Sequence, residues 1–262
     1  MNRYEGRRAL ITGGGSGIGQ ATVLRMLAEG GTVVAADVSE AGLADTVTKA
    51  GADAGRLTTV VVNIADEGSV RAGVAAALAT LGGLDVLVNA AGILRSSHTH
   101  ETSLADFNQV VAVNLTGTFL MIREAVPALL ESGSAAVVNF SSTSALFAHP
   151  YMAAYAASKG GIQSMTHALA AEYSKQGIRF TAVQPGSISS GMTDGSGESK
   201  QSQGPGLPAD TDWSLFAKLS PALGDGGFAG PEAVAGVVAM LASDDGRFIT
   251  GTEVRIDGGT HY

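Results

Sequence analysis

The chain has 262 residues, 45% of them hydrophobic and 15% charged, with 24 acidic against 16 basic side chains and a formal charge of −8. This composition supports a large apolar core and excludes a disordered chain, while the acidic balance disfavours a non-specific grip on nucleic acid or an anionic membrane surface. There are no cysteines, so disulfides and thiolate metal sites are ruled out.

Met1 to Arg8 is polar and lacks the apolar centre of a signal peptide. No run approaches the ~20 apolar residues that span a bilayer. The expectation is a soluble, cytoplasmic, globular protein with one domain over residues 1–262.

Short apolar runs alternate with longer helical patterns. Strands are predicted at Ala9 to Thr12, Thr32 to Ala36, Thr58 to Val62, Val86 to Val88, Ala136 to Phe140, Phe180 to Val183 and Glu253 to Ile256. They are continuously apolar, as strands covered on both faces should be. Helices are predicted at Gly17 to Glu29, Glu40 to Ala50, Glu67 to Leu81, Ser103 to Leu130, Ala153 to Gln176 and Pro231 to Ala242. Thr102 or Ser103 suits a helix cap, and Pro231 a first helical position. This alternation predicts an α/β fold, with a parallel sheet and helices on both faces. The segment Ser187 to Gly230 is too long and too rich in Gly, Ser and Pro for an ordinary connection, so it reads as a mobile substrate loop.

The first strand runs into Thr12-Gly13-Gly14-Gly15-Ser16-Gly17-Ile18-Gly19 and then a helix. Glycines let backbone N–H groups approach a phosphate, and the helix start adds roughly half a positive charge. The spacing is Gly13-x-x-x-Gly17-x-Gly19, not Gly-x-Gly-x-x-Gly. The second strand ends at Asp37. A carboxylate there can bond an adenosine ribose 2′-hydroxyl and repel a 2′-phosphate, which selects NAD. Neither Ser16 nor Val38 supplies a positive charge for a 2′-phosphate.

Tyr155 and Lys159 stand four apart in a predicted helix, so both side chains share one face. A nearby ammonium favours phenolate, so the expectation is a tyrosine pKa below its usual value of about 10. Ser142 follows the fifth strand, and strand ends of parallel sheets are where ligands bind.

Taken together, in order and at this spacing over Arg7 to Gly259, these motifs resemble the short-chain dehydrogenase/reductases with subunits of about 250 residues. The resemblance implies one doubly wound Rossmann-type domain with seven strands ordered 3-2-1-4-5-6-7. It implies a cofactor loop at Thr12, Gly13, Ser16, Gly17, Ile18 and Gly19, and an Asn89-Ala90-Ala91-Gly92 turn beside the adenosine. It further implies Asn63 and Ile64 at the adenine edge, and Pro185, Gly186, Ile188 and Ser190 near the nicotinamide. Asn114 would help to hold a proton-relay water, Ser142 would orient the substrate oxygen, Tyr155 would move the proton, and Lys159 would bond the nicotinamide ribose. Ala90 stands where the family usually has a second asparagine, and Asn63-Ile64 where Asp-Val is usual.

The expected reaction is hydride transfer between NAD and a secondary alcohol or ketone, with a small-molecule substrate and no metal. A 3-oxoacyl carrier-protein reductase using NADPH is the alternative, and a non-catalytic dinucleotide-binding protein a weaker one. Family likeness also implies a homo-oligomer, most often a tetramer, built on the two long helices. His98 and His100 read as solvated loop residues, whereas His149 can line the substrate mouth. Trp213 and Phe216 can close over the substrate.

Overall fold

The strands form because their side chains alternate between two apolar layers, each covered by helices. In the computed structural model, which describes residues 2–195, 204–217, 219–223 and 227–261, seven strands make one sheet. They are β1 (Arg8–Thr12), β2 (Thr32–Asp37), β3 (Leu57–Val61), β4 (Val86–Asn89), β5 (Ala135–Phe140), β6 (Ile178–Pro185) and β7 (Thr252–Ile256). Every pairing is parallel and the order is β3-β2-β1-β4-β5-β6-β7, as the resemblance implied.

The helices are α1 (Gly17–Ala28), α2 (Glu40–Ala50), α3 (Glu67–Leu81), α4 (Leu104–Val111), α5 (Thr118–Ser132), α6 (Ala153–Tyr173), the short α7 (Gly191–Asp194) and α8 (Glu232–Ala242). One core layer joins Ile11, Val33 and Val138 to Val23 and Met26 of α1 and Val234 and Val238 of α8. The other joins Leu10, Val34, Leu87 and Phe180 to Val70 and Val74 of α3 and Met121, Ile122 and Leu129 of α5. Leu10 and Ile11, neighbours in sequence, therefore serve opposite layers.

The helix expected over Ser103 to Leu130 is interrupted. Ser103 caps α4 by accepting from Asp106 N at 3.0 Å, but a π-helical turn, Ala112–Gly117, separates α4 from α5. A wide turn of this kind commonly marks a functional position. By length and composition the continuous run Leu104–Ser132 would suffice to cross a bilayer, unlike the sequence expectation; Leu120, Met121, Ile122, Ala125, Val126 and Leu129 pack into the core, while Leu104, Phe107 and Phe119 are exposed. Pro231 sits at the cap of α8 rather than inside its first turn.

Of the irregular segment expected over 187–230, residues 196–203, 218 and 224–226 lie outside the described residues. The described part is tied down at several points. Ser189 N and Ala229 N bond Ala229 O and Ser187 O, Ser187 Oγ donates to Leu219 O at 3.1 Å, and Ala222 N and Leu223 N donate to Gly258 O.

Gly117 tests how tightly the π turn is held. A β-carbon there would lie 2.7 Å from Ile64 O and 2.9 Å from Ile64 Cγ1. Gly117→Ala is expected to destabilise the fold by about 1–3 kcal/mol. Thermal unfolding would read this as a midpoint lower by about 2–4 °C per kcal/mol.

Candidate active site

Strand order reverses between β1 and β4, and the crevice beyond their carboxyl ends is the site that open parallel sheets offer a ligand. The glycine loop closes one side. Gly13 has a φ of +70°, and a β-carbon on it would sit 2.8 Å from Ala91 N; one on Gly19 would sit 2.1 Å from Gly13 O. Only glycine fits this approach of loop, α1 and the Ala90-Ala91 backbone. Thr12 Oγ1 accepts from Ala91 N at 3.2 Å, fastening the two turns together.

Ser16 is the cap residue of α1 but makes no side-chain capping bond, and the first turn of α1 carries no acidic residue. Those N–H groups therefore remain available to an anion. Ile18 lies in that same turn and packs on the core. Asp37, at the end of β2, accepts from Gly15 N at 3.0 Å and from Ser39 N at 2.9 Å, so its carboxylate stands against the loop. On the far side, Ser190 Cβ would be 3.3 Å from a β-carbon on Gly17, which brings the segment after β6 over the loop. There Ile188 forms an isolated bridge with Ala229, Thr193 Oγ1 donates to Ile188 O at 2.8 Å, and Gly186 lies close against Asp257. Pro185 O accepts from Thr143 Oγ1 at 3.5 Å.

Asn63 and Ile64 follow β3. Asn63 is exposed and its Oδ1 accepts from Ala65 N at 3.1 Å, whereas Ile64 is buried against the π turn. Asn89, at the end of β4, donates through Nδ2 to Asn139 Oδ1 at 2.9 Å, and Asn139 Nδ2 donates to Thr166 Oγ1 at 3.0 Å. This buried chain runs from β4 through β5 to α6.

Asn114, Ser142, Tyr155 and Lys159 come together beyond β4 and β5. Asn114, in the π turn, accepts from Ile93 N at 2.8 Å and donates to Ile93 O at 2.9 Å and Ser158 Oγ at 3.1 Å. Its side chain thus fixes the backbone just after Gly92. A β-carbon on Gly92 would be 3.1 Å from Asn114 Oδ1 and 3.6 Å from Lys159 Nζ. Lys159 is buried, and its Nζ donates to Phe140 O at 2.7 Å and lies 5.5 Å from the centre of the Tyr155 ring. No carboxylate pairs with it among the ion pairs of the described residues. Burial alone lowers its pKa from 10.5 to about 8.

Tyr155 is half-buried, with its hydroxyl end enclosed beside Ser142. Burial raises the phenol pKa, and the hydrogen bond to Ser142 only partly opposes this. The direction is opposite to the sequence expectation. The reason is geometric: the ammonium is drawn to Phe140 O and stays 5.5 Å from the ring centre, and burial disfavours the phenolate more than the distant cation helps it.

Sequence reasoning missed the second layer of this site. Ser158 Oγ accepts from Asn114 and donates to Tyr155 O at 2.7 Å, and Ser141 Oγ donates to Lys159 O at 3.0 Å. The three-residue spacing of Tyr155 and Ser158 was a signal that could have found the first. His149 Nε2 lies 3.3 Å from Thr143 Oγ1, next to Ser142 in sequence, and the His149 pKa is lowered chiefly by burial. His98 bonds Asp210, and no cluster of His and carboxylates with metal-binding geometry occurs among the described residues.

Comparison with known proteins places the chain in a family. Residues 7–201 match the short chain dehydrogenase family. The chain is 35% identical to a 3-oxoacyl-[acyl-carrier-protein] reductase of Thermotoga maritima over 257 residues, covering 98% of each. It is 37% identical to levodione reductase of Leifsonia aquatica, covering 98% of this chain and 95% of that one. Among solved structures, a short chain dehydrogenase from Mycobacterium paratuberculosis bound to NAD superposes with a TM-score of 0.89 at 32% identity, covering 98% of each chain.

The chain belongs to the short-chain dehydrogenases and is an oxidoreductase of that family. Membership implies a nicotinamide dinucleotide, and the uncapped α1 start, the glycines no β-carbon could replace and the unpaired buried ammonium fit such a group.

Lys159 also makes a prediction about stability. In the unfolded chain its pKa returns to 10.5, so between about 8 and 10.5 the unfolded state binds more protons and stability rises with pH. Below about pH 8 the folded protein carries the full cost of the buried cation. Lys159→Met is expected to remove this dependence, with a difference from wild type largest at neutral pH and fading towards 10.5. Urea unfolding of the ligand-free proteins at several pH values measures it; a constant difference would refute the buried-charge explanation.

Proposed function

We propose that the chain acts throughout its length as one dinucleotide-binding domain that exchanges hydride between NAD and a secondary alcohol or ketone. The observation that carries this reading is the meeting of four side chains at one crevice. The Tyr155 hydroxyl lies beside Ser142, Lys159 Nζ lies 5.5 Å from the same ring, and Asn114 clamps the adjoining backbone.

When bound, the dinucleotide supplies the hydride acceptor for alcohol oxidation, or the donor for ketone reduction. Ser142 Oγ holds the alcohol oxygen, and Tyr155 Oη takes its proton as the carbonyl forms; in reduction the same hydroxyl returns it. Lys159, with two N–H groups left after Phe140 O, would bond the ribose and favour the phenolate when it forms. Asn114 fixes the Gly92–Ile93 turn and, through the π turn, offers backbone to a relay water.

Asp37 favours NAD, because its carboxylate accepts ribose hydroxyls and repels a 2′-phosphate. Gly13, Ser16, Gly17, Ile18 and Gly19 would hold the pyrophosphate, with Asn63, Ile64, Asn89, Ala90, Ala91 and Gly92 for the adenosine half. Pro185, Gly186, Ile188 and Ser190 would serve the nicotinamide half. The exposed Leu104, Phe107 and Phe119 on α4 and α5 suit contact with a second copy of the chain, in a cytoplasmic homotetramer. The likeness to the Thermotoga maritima enzyme favours a second reading, reduction of carrier-bound 3-oxoacyl groups with NADPH.

Paired fluorescence titrations with NADH and NADPH separate the two. NADH is expected to bind at least tenfold more tightly, and tighter NADPH would put the second reading first. Tyr155→Phe is expected to retain NADH binding and to lose about 10²-fold or more in turnover of an alcohol found by screening. An active variant would sink the acid/base assignment. Replacing Trp213 and Phe216 with Ala is expected to raise KM severalfold, whereas an unchanged KM would remove them from the substrate mouth.

A further inference from the structure

Tyr151 has a φ of +67°, the one positive value outside glycine among the described residues. A side chain with a β-carbon is disfavoured there and persists only where its surroundings hold it. It lies four residues before Tyr155, on the approach to α6.

Three segments meet on it. Its carbonyl accepts from Ser97 N at 2.9 Å, in the loop that leads from Gly92. Its hydroxyl accepts from Asp212 N at 3.0 Å, and its ring stacks on Phe216 with centroids 6.2 Å apart and planes at 15°. His98 meets the same ring edge-on at 5.2 Å, while His98 Nε2 lies 2.9 Å from Asp210 Oδ1. Between these contacts Thr211 is buried. Residues 210–216 are therefore docked by one hydrogen bond at Asp212, one ring stack at Phe216 and one ion pair at Asp210.

We propose that Tyr151 is a positioning residue for the substrate side of the site, docking residues 210–216 across the loop at 97–98, and that the His98–Asp210 pair makes this docking depend on pH. Its consequence for substrate rests on the reading of Tyr155 and Ser142 as the reacting centre; the docking itself does not.

The groups facing His98 are Asp210, Glu101, the His100 ring at 5.6 Å and Tyr151. The hydrogen bond to Asp210 raises the His98 pKa from 6.5, opposed by partial desolvation and aided by the charges of Asp210 and Glu101. The same bond lowers the Asp210 pKa. The pair is thus complete below the raised histidine value and dissolves as pH rises through it. Asp210 is largely exposed, so the pair biases docking by only about two- to fivefold.

Trp213, the only tryptophan, lies in the docked turn with its ring 5.7 Å from Phe216. The test is acrylamide quenching and anisotropy of Trp213 in the ligand-free protein, from about pH 5.5 to about pH 9. Wild type is expected to show quenching that rises and anisotropy that falls through a step above 6.5, equivalent to a two- to fivefold shift in docking. Asp210→Asn should flatten the step. Tyr151→Phe, which lacks the acceptor for Asp212 N, should be more quenched at every pH yet keep the step. A wild-type signal independent of pH, or variants indistinguishable from wild type, would overturn the proposal. So would a Tyr151→Phe protein whose melting midpoint falls while Trp213 does not change. No turnover enters the test, so its failure and that of the Tyr155 assignment are separate results.

Discussion

The reversal of strand order between β1 and β4 is the constraint on which the rest of the structure depends. Connections leave the two strands towards opposite faces, so their carboxyl ends are not roofed by one helix and a crevice remains. A crevice at the centre of a buried sheet exposes backbone polar groups that need partners. The chain answers with small residues and short side chains. Gly13 and Gly19 let α1 reach the Ala90-Ala91 backbone, Thr12 Oγ1 takes Ala91 N, and Asn114 takes both polar groups of Ile93. The π turn follows from that last contact. An ordinary helical turn would change the rotation of Asn114 relative to Ile93, and the wide turn keeps its amide directed there while α5 still packs on the sheet.

The same enclosure determines the electrostatics. Burial pushes Lys159 down to about 8 and Tyr155 up, so each group alone is driven towards its neutral form. Among the described residues no carboxylate pairs with the ammonium. A phenolate and an ammonium in this enclosure would each lower the cost of the other. A charged residue introduced nearby would break that balance by pinning one of them. The surrounding hydroxyls and amides, from Ser141, Ser142, Asn114 and Ser158, are polar without being ionised, which fits this requirement.

Much of the fold could be read in the sequence because strands covered on both faces leave an unmistakable apolar run. β2 and β5 were each placed within one residue at either end, and Glu67–Leu81 matched its predicted bounds. The residues of the glycine loop and of the Tyr155–Lys159 pair were likewise visible, since their spacing is local. What escaped were features set by contacts between distant segments. The π turn depends on Ile93, the direction of the tyrosine shift on where Phe140 O directs an ammonium, and the docked turn at 213–216 on a tyrosine at 151 in a glycine-like conformation. Nothing in the local sequence around Tyr151 signals a positive φ.

The reading of Asp37 as a selector gains force from how its carboxylate is held. Each oxygen already accepts one backbone N–H, from Gly15 and from Ser39, so the group is oriented before any ligand arrives. A carboxylate oxygen accepts more than one hydrogen bond, which leaves capacity for ribose hydroxyls without disturbing the loop. A 2′-phosphate would instead bring negative charge against an anion that cannot swing away without releasing Gly15 N. Two unit charges at about 4 Å repel by about 1 kcal/mol in water and about 4 kcal/mol at an effective dielectric of 20. That range corresponds to about fivefold to about a thousandfold in affinity. A serine at this position would retain a partner for Gly15 N but lose the repulsion, so under the proposed function the discrimination would reside in the charge of Asp37 and not in the shape of the loop.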